Sequence, residues 1–437
     1  MKEAFLHYLW QFRKFEGATS SGLLLSDEQR SIQVIHPGGY NALAGPDFFN
    51  AQIRIGEQLW AGNVEVHLKS SDWYLHRHER DQAYSNVILH VVWEDDCEVF
   101  DAANLLIPTL VLSDKVSPQM LQSYKALLEA KSYRFINCES DFAEVDAALF
   151  EHWIERLYFD RLERKVSLVL GKLELVTGDW EAVLFMTLAR NFGTVINADA
   201  FAELAQIIPF SIVRKLGQQP GQLEAALLGQ AQMLADDPIE QQPKLWKKDY
   251  LYIKHKFELS EGIRYPMQFF KLRPPNFPGI RISQLAQLYE QHQDLFSKCM
   301  AAQTRSELQK LLKVSTSTYW ETHYTFGKPH KPRIKKLSDA FIDVFIINSI
   351  IPLKFAYAQA KGLDVQEQLL DLMRSIPLEK NSIVSTFEKL KTFERDALHS
   401  QALLQLKREY CDLNQCLKCE IGNYLISKYI FDSNQES

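Results

Sequence analysis

The sequence predicts an α+β domain over residues 1–137, built on a mixed sheet with flanking helices, and an all-helical region over residues 138–437. Three features predict this division. Short runs before residue 113 alternate apolar and polar residues, as half-buried strands do. The apolar run at residues 86–94 is typical of a strand in the centre of a sheet. After Asp141, the apolar residues recur with the period of a helix.

The elements of the first region are separated by recognisable turn signals. An apolar stripe in residues 3–15 predicts a helix, and Gly56-Glu57 closes a tight turn between two alternating runs, which predicts a hairpin. The predicted strands are residues 31–35, 48–55, 59–68, 86–94 and 107–112. In the second region, helical periodicity predicts helices at residues 149–170, 180–192, 198–207, 222–234, 283–291, 339–360 and 397–410.

The composition excludes several classes of protein. With 49 Lys and Arg against 55 Asp and Glu, the net charge is −6, which argues against a protein that coats nucleic acid without specificity. Hydrophobic residues make up 46% of the 437 positions, which is typical of a globular chain with two or three domains. We see no apolar run of the roughly 20 residues that a membrane helix needs. The first residues also lack the basic start and apolar run of a signal peptide, so we expect a soluble cytoplasmic protein.

One predicted strand carries a chemically active face. Because side chains two apart on a strand share a face, Glu65, His67 and Lys69 project together, while the apolar residues between them point to the core. Asp47 begins the preceding strand, so its carboxylate and that of Glu65 can converge on one side of the sheet. Mg²⁺ typically takes one or two carboxylates from a protein, and His67 or Lys69 would then orient or deprotonate the attacking water. His90, in a neighbouring strand, is interpreted as a core histidine unless it faces the same side as Glu65.

The same residues resemble a known catalytic motif. Gly45-Pro46-Asp47, followed eighteen residues later by Glu65-Val66-His67, is similar to the signature of the PD-(D/E)XK nuclease superfamily. That resemblance implies a restriction-endonuclease-like mixed sheet, Asp47 and Glu65 as Mg²⁺ ligands on adjacent strands, and hydrolysis of phosphodiester bonds in DNA or RNA. It also implies that Glu3, on the first helix, is an accessory acid. His67 stands where the family has its lysine, with Lys69 next on the same face.

Two other functions are open at this point. The absent lysine and the acidic pI of about 6.1 favour a catalytically inactive nuclease fold that serves as a binding or structural module. A third hypothesis is a zinc-dependent hydrolase that uses His76, His78 and Asp81, because imidazole and carboxylate groups suit Zn²⁺. If this segment is helical, His78, Asp81 and Tyr84 lie near one face. Otherwise the two histidines line the nuclease-like cleft or bond to loop backbone.

Three of the six cysteines cluster late in the chain. Cys411, Cys416 and Cys419 follow the spacing C-x₄-C-x₂-C, which supplies three soft ligands for one metal site. Cys138, at the junction of the two regions, is the candidate for the fourth ligand of a structural zinc or iron–sulfur site. The arrangement resembles that of some nucleases in the superfamily named above, which combine one remote cysteine with three C-terminal ones. The alternative is a set of reduced thiols buried in a helical cap.

The chain as a whole resembles a second family. A bacterial family known only as a domain of unknown function, type 2851, is similar to this sequence in the stretches GPDFFNAQIRI, WAGNVEVHLKSSDW and RPPNFPGIR and in the cysteine-rich end. This resemblance spans the whole chain, and it implies no activity.

Overall fold

In the computed structural model, the early part of the chain forms a curled mixed β-sheet with flanking helices, as predicted. The structure describes residues 2–15, 23–24, 31–41, 45–128, 134–234, 239–264 and 266–432. The strands are Leu23–Leu24 (β1), Ser31–His36 (β2), Gly39–Tyr40 (β3), Phe48–Ile55 (β4), Gln58–Lys69 (β5), Val87–Glu94 (β6) and Thr109–Val111 (β7). Their order across the sheet is β1-β2-β4-β5-β6-β7, with the short β3 paired to β4.

The direction of pairing changes at β5. Strands β2, β4 and β5 pair antiparallel, and the predicted hairpin between β4 and β5 is confirmed. Strands β6 and β7 continue the sheet in parallel. The register sets Phe48 opposite Val64 and Glu65 opposite His90, so residues from three successive strands meet at one place in the sheet.

Helices make up most of the remainder, which confirms the all-helical second region. They are Glu3–Gln11 (α1), Asp72–Leu75 (α2), Pro118–Leu128 (α3), Ala147–Leu175 (α4), Trp180–Phe192 (α5), Ala198–Ile207 (α6), Phe210–Leu216 (α7), Gln222–Gln230 (α8), Gln241–Lys256 (α9), Pro278–Gln291 (α10), Leu295–Ala301 (α11), Arg305–Leu312 (α12), Asp339–Phe345 (α13), Ile351–Lys361 (α14), Gln366–Arg374 (α15), Ser382–Leu390 (α16), Ala397–Gln405 (α17) and Glu420–Asp432 (α18). Two π-helical turns, Ile346–Ile350 and Leu406–Cys411, adjoin α14 and α17.

The contacts divide the chain into two compact units. The first consists of Met1–Ile154, Ser382–Thr392 and Leu403–Ser437, and the second of Glu155–Asn381 and Phe393–Ala402. The first unit therefore includes segments from late in the sequence. The division into domains at residues 137 and 138 stays a prediction from the sequence.

The core of the first unit lies between the sheet and α1. Phe5 and Leu9 of α1 pack in one apolar cluster with Val64 and Val66 of β5, all of them fully buried. The late segments reach the same cluster, because Cys416 is part of it. A smaller cluster contains two aromatic residues from the segment after β5, and it consists of Trp73, Tyr84, Val99 and Ile107.

The second unit is built from helices around aromatic and aliphatic side chains. Phe192 of α5 and Phe345 of α13 are fully buried, with ring centroids 4.6 Å apart. One continuous helical stretch, Asp339–Lys361, is long and apolar enough to cross a membrane, contrary to the expectation from the sequence. Of its most apolar 18-residue stretch, 67% is buried inside the structure, which is typical of a core helix in a soluble protein.

Close packing at Gly279 gives a first prediction. A Cβ atom at this position in α10 would lie 2.4 Å from the nearest ring carbon of Trp320, which is itself fully buried. We expect Gly279→Ala to lower the free energy of unfolding by about 1–3 kcal/mol, since the ring has no free space into which to move. Chemical denaturation measures this change. Gly171→Ala is the matched control, because nothing lies within 4 Å of its Cβ position, which is exposed about one turn before the end of α4. It should raise stability by about 0.5–1 kcal/mol, and equal stabilities for the two variants would contradict the prediction.

Candidate metal centre

Strand β5 presents Glu65 and His67 on the face opposite the core, as the alternation predicted. Both side chains are nevertheless buried, at 4% and 2% exposure, because the segment after β5 covers them. His90 of β6 lies on the same face, and its Nε2 is 2.9 Å from His67 Nδ1. His90 therefore faces the same side of the sheet as Glu65 and contacts His67 directly. Its interpretation as a core histidine, which held only if it faced the other side, does not apply.

The segment after β5 brings two more histidines to this face. His76 Nδ1 lies 3.1 Å from His67 Nε2, and the His78 ring stacks on the His67 ring with centroids 5.3 Å apart. In a regular helix, residues two apart point about 200° away from each other. Arg77 avoids this by adopting a left-handed conformation with φ of 62°, which lets both neighbours face His67. Backbone strain of this kind in a non-glycine residue is often found at functional sites.

The nitrogen and oxygen atoms of this cluster are spaced as metal ligands. One ring nitrogen from each of His67, His76 and His78 lies within 4.8 Å of the other two. Glu65 Oε1 is 3.2 Å from His78 Nε2 and 3.6 Å from His67 Nε2. A tetrahedral ion with bonds of about 2.0–2.1 Å would separate its ligand atoms by about 3.3 Å. His78 Nε2 is buried and lacks the angles of a hydrogen bond, although it lies close to the carboxylate. The three ring nitrogens therefore converge on a common point, with the Glu65 carboxylate beside two of them, and imidazole and carboxylate groups suit Zn²⁺ or Mn²⁺.

Burial keeps the central histidines neutral. Desolvation, followed by the charges of neighbouring histidines, lowers the pKa of His67 to about 2. Desolvation likewise lowers the pKa of His90 to about 3. A neutral imidazole has a free lone pair for a metal ion, and the contact with His90 orients the His67 ring. Burial raises the pKa of Glu65, and the neighbouring His78 side chain offsets part of this effect.

Asp47 adjoins this cluster, directly before β4. Its Oδ2 accepts a hydrogen bond from the Val66 N–H at 3.1 Å and lies 3.1 Å from His7 Nε2 of α1. Its own N–H donates to Glu65 Oε2 at 3.1 Å. Asp47 and Glu65 are thus neighbours, and each carboxylate accepts a backbone hydrogen bond from the segment that carries the other.

Helix α1 adds two ionisable groups beside Asp47. Burial lowers the pKa of His7, but the hydrogen bond and charge of Asp47 outweigh it, so that the pKa lies above its ordinary value. Burial and the charge of Asp47 raise the pKa of Glu3. His7 is a member of the site that the sequence analysis did not identify. The available signal was its position four residues after Glu3, on the same face of an otherwise apolar helix.

The other predicted residues lie in different surroundings. The Lys69 side chain is 50% exposed, and its Nζ lies 3.3 Å from Glu94 and 4.0 Å from Asp96. Asp81 is exposed and caps a short 3₁₀ turn by accepting a hydrogen bond from the Ala83 N–H at 2.9 Å. In its place, the structure offers His67 as the third ligand beside His76 and His78.

Two aromatic side chains close the site from the segment after β5. The Tyr84 ring is buried and stacks on His78 with centroids 3.8 Å apart. Burial, followed by the charges of Glu65 and Asp47, raises the pKa of Tyr84 to about 12. Trp73 lies 5.3 Å from the His78 ring and 5.6 Å from the His90 ring. These rings exclude water from the inner side of the cluster.

Comparison with known proteins gives a family and no activity. The model of a family described as "Protein of unknown function (DUF2851)" matches residues 3–382. The match contains every residue of the histidine cluster and ends before Cys411. No curated protein and no solved structure shows significant similarity to the chain. Because the matched residues make up far more than half of the sequence, the chain belongs to the DUF2851 family of proteins of unknown function.

Proposed function

We propose that this protein is a metal-dependent hydrolase that cleaves phosphodiester bonds in nucleic acid. The observation that carries the proposal is the convergence of ring nitrogens from His67, His76 and His78 on one point, with the Glu65 carboxylate beside two of them. Nitrogen-rich donor sets favour Zn²⁺ or Mn²⁺, whereas Mg²⁺ prefers oxygen ligands and retains several waters. We therefore assign a transition-metal ion to this site in preference to the Mg²⁺ expected from Asp47 and Glu65 alone.

The metal ion, when bound, would supply Lewis acidity that activates a water molecule and polarises a phosphoryl oxygen. Hydrolysis transfers one proton, overall, from the attacking water to the departing oxygen. The His7–Asp47 pair is suited to carry that proton, because the two side chains are 3.1 Å apart and both are partly exposed, His7 at 17% and Asp47 at 22%. Asp47 raises the pKa of His7, which increases the fraction of His7 that is protonated near neutral pH.

Phosphodiesters are favoured as substrates for two reasons. The Asp47 and Glu65 motif resembles that of the PD-(D/E)XK nucleases, and the two acids lie side by side, Asp47 directly before β4 and Glu65 on β5. The rim beside His7 also combines an exposed aromatic ring with a cation. Tyr40 is 41% exposed, lies 5.7 Å from the His7 ring and has Lys418 Nζ 5.9 Å from its centroid. Stacking rings and cations are what single-stranded nucleic acid contacts.

The cysteines support our proposal that the protein is cytoplasmic. All six are free thiols in the structure, which supports a reducing environment such as the cytoplasm.

Metal reconstitution tests the proposal. The full chain is stripped with a chelator, reloaded with Zn²⁺, Mn²⁺ or Mg²⁺, and assayed on single- and double-stranded DNA and RNA and on a simple phosphodiester. We expect about one ion per chain at this site and hydrolysis with Zn²⁺ or Mn²⁺. His67→Ala should abolish both, whereas His152→Ala, on an exposed part of α4, should change neither.

Two outcomes would contradict the proposal. Hydrolysis supported by Mg²⁺ alone would overturn the transition-metal assignment and return the ligand role to Asp47 and Glu65. Binding of an ion without hydrolysis of any substrate would favour the inactive module.

A further inference from the structure

Four cysteines from distant parts of the sequence line one small cavity in the first unit. Cys138 lies in a turn ahead of α4, and Cys411 is the last residue of the π-helical turn after α17. Cys416 begins a 3₁₀ turn, and Cys419 immediately precedes α18. The rest of the cavity wall is mainly apolar and consists of Asn137, Phe142, Leu406, Tyr410, Ile421 and Gly422.

N–H groups are directed at the sulfur atoms. The Asn137 side-chain amide lies 3.5 Å from Cys416 Sγ, and the backbone N–H groups of Ile421 and Gly422 face Cys419 Sγ at the start of α18. Such donors favour thiolates over thiols, and they are the usual outer partners of sulfur ligands.

The backbone around the cavity is shaped to bring the cysteines together. A π-helical turn, which is uncommon and often marks a functional site, ends at Cys411. At Gly422, a Cβ atom would lie 2.1 Å from the Cys416 carbonyl oxygen, so only glycine allows α18 to approach the turn that carries Cys416.

The spacing of the sulfurs separates two kinds of metal centre. Four thiolates around one Zn²⁺ ion, with Zn–S bonds of about 2.3 Å, would lie about 3.8 Å apart. Within the part of the chain that the structure describes, the histidine cluster forms a set of ligand atoms within 4.8 Å of one another, but no three of these sulfurs do. In an iron–sulfur cluster the thiolates bind different iron atoms and lie farther apart.

From these observations we infer that Cys138, Cys411, Cys416 and Cys419 bind an iron–sulfur cluster. This centre is separate from the histidine site and independent of the proposed hydrolysis. Its role is to hold the late segments against the sheet. Cys416 packs in the core with Phe5 of α1, and the Tyr8 hydroxyl donates to Asn423 Oδ1 of α18 at 2.8 Å.

Anaerobic purification of the full chain tests the inference. Iron, acid-labile sulfide and zinc are measured together with the visible absorption and the electron paramagnetic resonance spectrum after reduction. We expect iron and sulfide in equal amounts and the visible absorption of an iron–sulfur cluster. Cys411→Ser and Cys419→Ser should each lose both, whereas Cys97→Ser and Cys299→Ala, which lie outside the cavity, should retain them.

Removing the cluster from the wild-type chain with an oxidant and a chelator covers the case in which the serine variants do not fold. The visible absorption should disappear and the midpoint of thermal unfolding should fall by several degrees. Zinc that is bound by the wild type and lost from the serine variants, a wild-type protein without iron and sulfide, or iron retained by the serine variants would overturn the inference. An unchanged midpoint after cluster removal would overturn the stabilising role.

Discussion

Replacing Glu65 with glutamine should lower phosphodiester hydrolysis by about 100-fold or more while leaving the fold intact. The change removes the one anionic ligand of the proposed site, so it weakens both metal binding and the activation of water. Glutamine has nearly the same shape, and its side-chain oxygen can still accept the hydrogen bond from the Asp47 N–H. Burial raises the pKa of Glu65, so removing its charge should not destabilise the protein. Steady-state kinetics and thermal unfolding of the same preparation measure the two effects.

Glu94→Gln is the matched control for this variant. Glu94 lies on β6 beside the site, is 57% exposed, and pairs with Lys69 away from the histidines. The Glu94→Gln variant loses the same negative charge as Glu65→Gln. Its rate of hydrolysis should nevertheless stay within about twofold of wild type, because surface ion pairs contribute little to stability. Equal rates for Glu65→Gln and the wild type would exclude Glu65 as a ligand. A rate loss matched by loss of folded protein would assign it a structural role instead.

The predictable part of the site was the part carried by one strand. The alternation of apolar and polar residues alone predicted that Glu65 and His67 lie on the face opposite the core, and β5 has that arrangement. His90 depended on the parallel register between β5 and β6, which no local pattern specifies. His7 comes from a helix some 40 residues before Asp47, and only the packing of α1 against the sheet brings the two together. Residues on separate elements meet through tertiary packing, which sequence spacing does not encode.

The segment after β5 shows a different limit. A helical interpretation grouped His78 with Asp81 and Tyr84. The left-handed Arg77 breaks the helix, so His76 and His78 both face His67, and Asp81 caps the next turn. A positive φ at arginine has no sequence signal, since it is a conformation that only the surrounding structure stabilises.

In the second region, the helix boundaries agree better with the limits of the helical periodicity than with the positions of glycine and proline. The helices predicted at residues 180–192 and 198–207 have those limits in the structure. The helix predicted to end at Gly171 continues to Leu175, because a single glycine in a long helix costs only about 1 kcal/mol. Pro352 lies at the beginning of α14, where the missing N–H is tolerated beside a π-helical turn.

A pH-dependent stability is expected from Glu224, which is fully buried in α8. Its Oε1 accepts hydrogen bonds from Trp320 Nε1 at 2.7 Å and Ser317 Oγ at 3.1 Å, while Oε2 is buried without a partner. Desolvation outweighs these bonds and raises the pKa of Glu224 from its ordinary value of 4.5 to about 7. Between these two values the folded state binds more protons than the unfolded state. The free energy of unfolding should therefore fall as the pH rises from about 4.5 to 7, by about 3 kcal/mol from this group.

Glu224→Gln should remove this dependence. Glutamine is neutral at every pH and keeps an oxygen for the Trp320 indole, so the variant should match the wild type near pH 4.5 and be more stable by a few kcal/mol at pH 8. Urea denaturation followed by tryptophan fluorescence measures the difference across the range. Glu394→Gln, an exposed position of the second unit, provides the same charge change and should leave the pH profile unaltered. A Glu224→Gln profile parallel to that of the wild type would mean that Glu224 is ionised in the folded protein at low pH, with its buried charge stabilised by the hydrogen bonds it accepts.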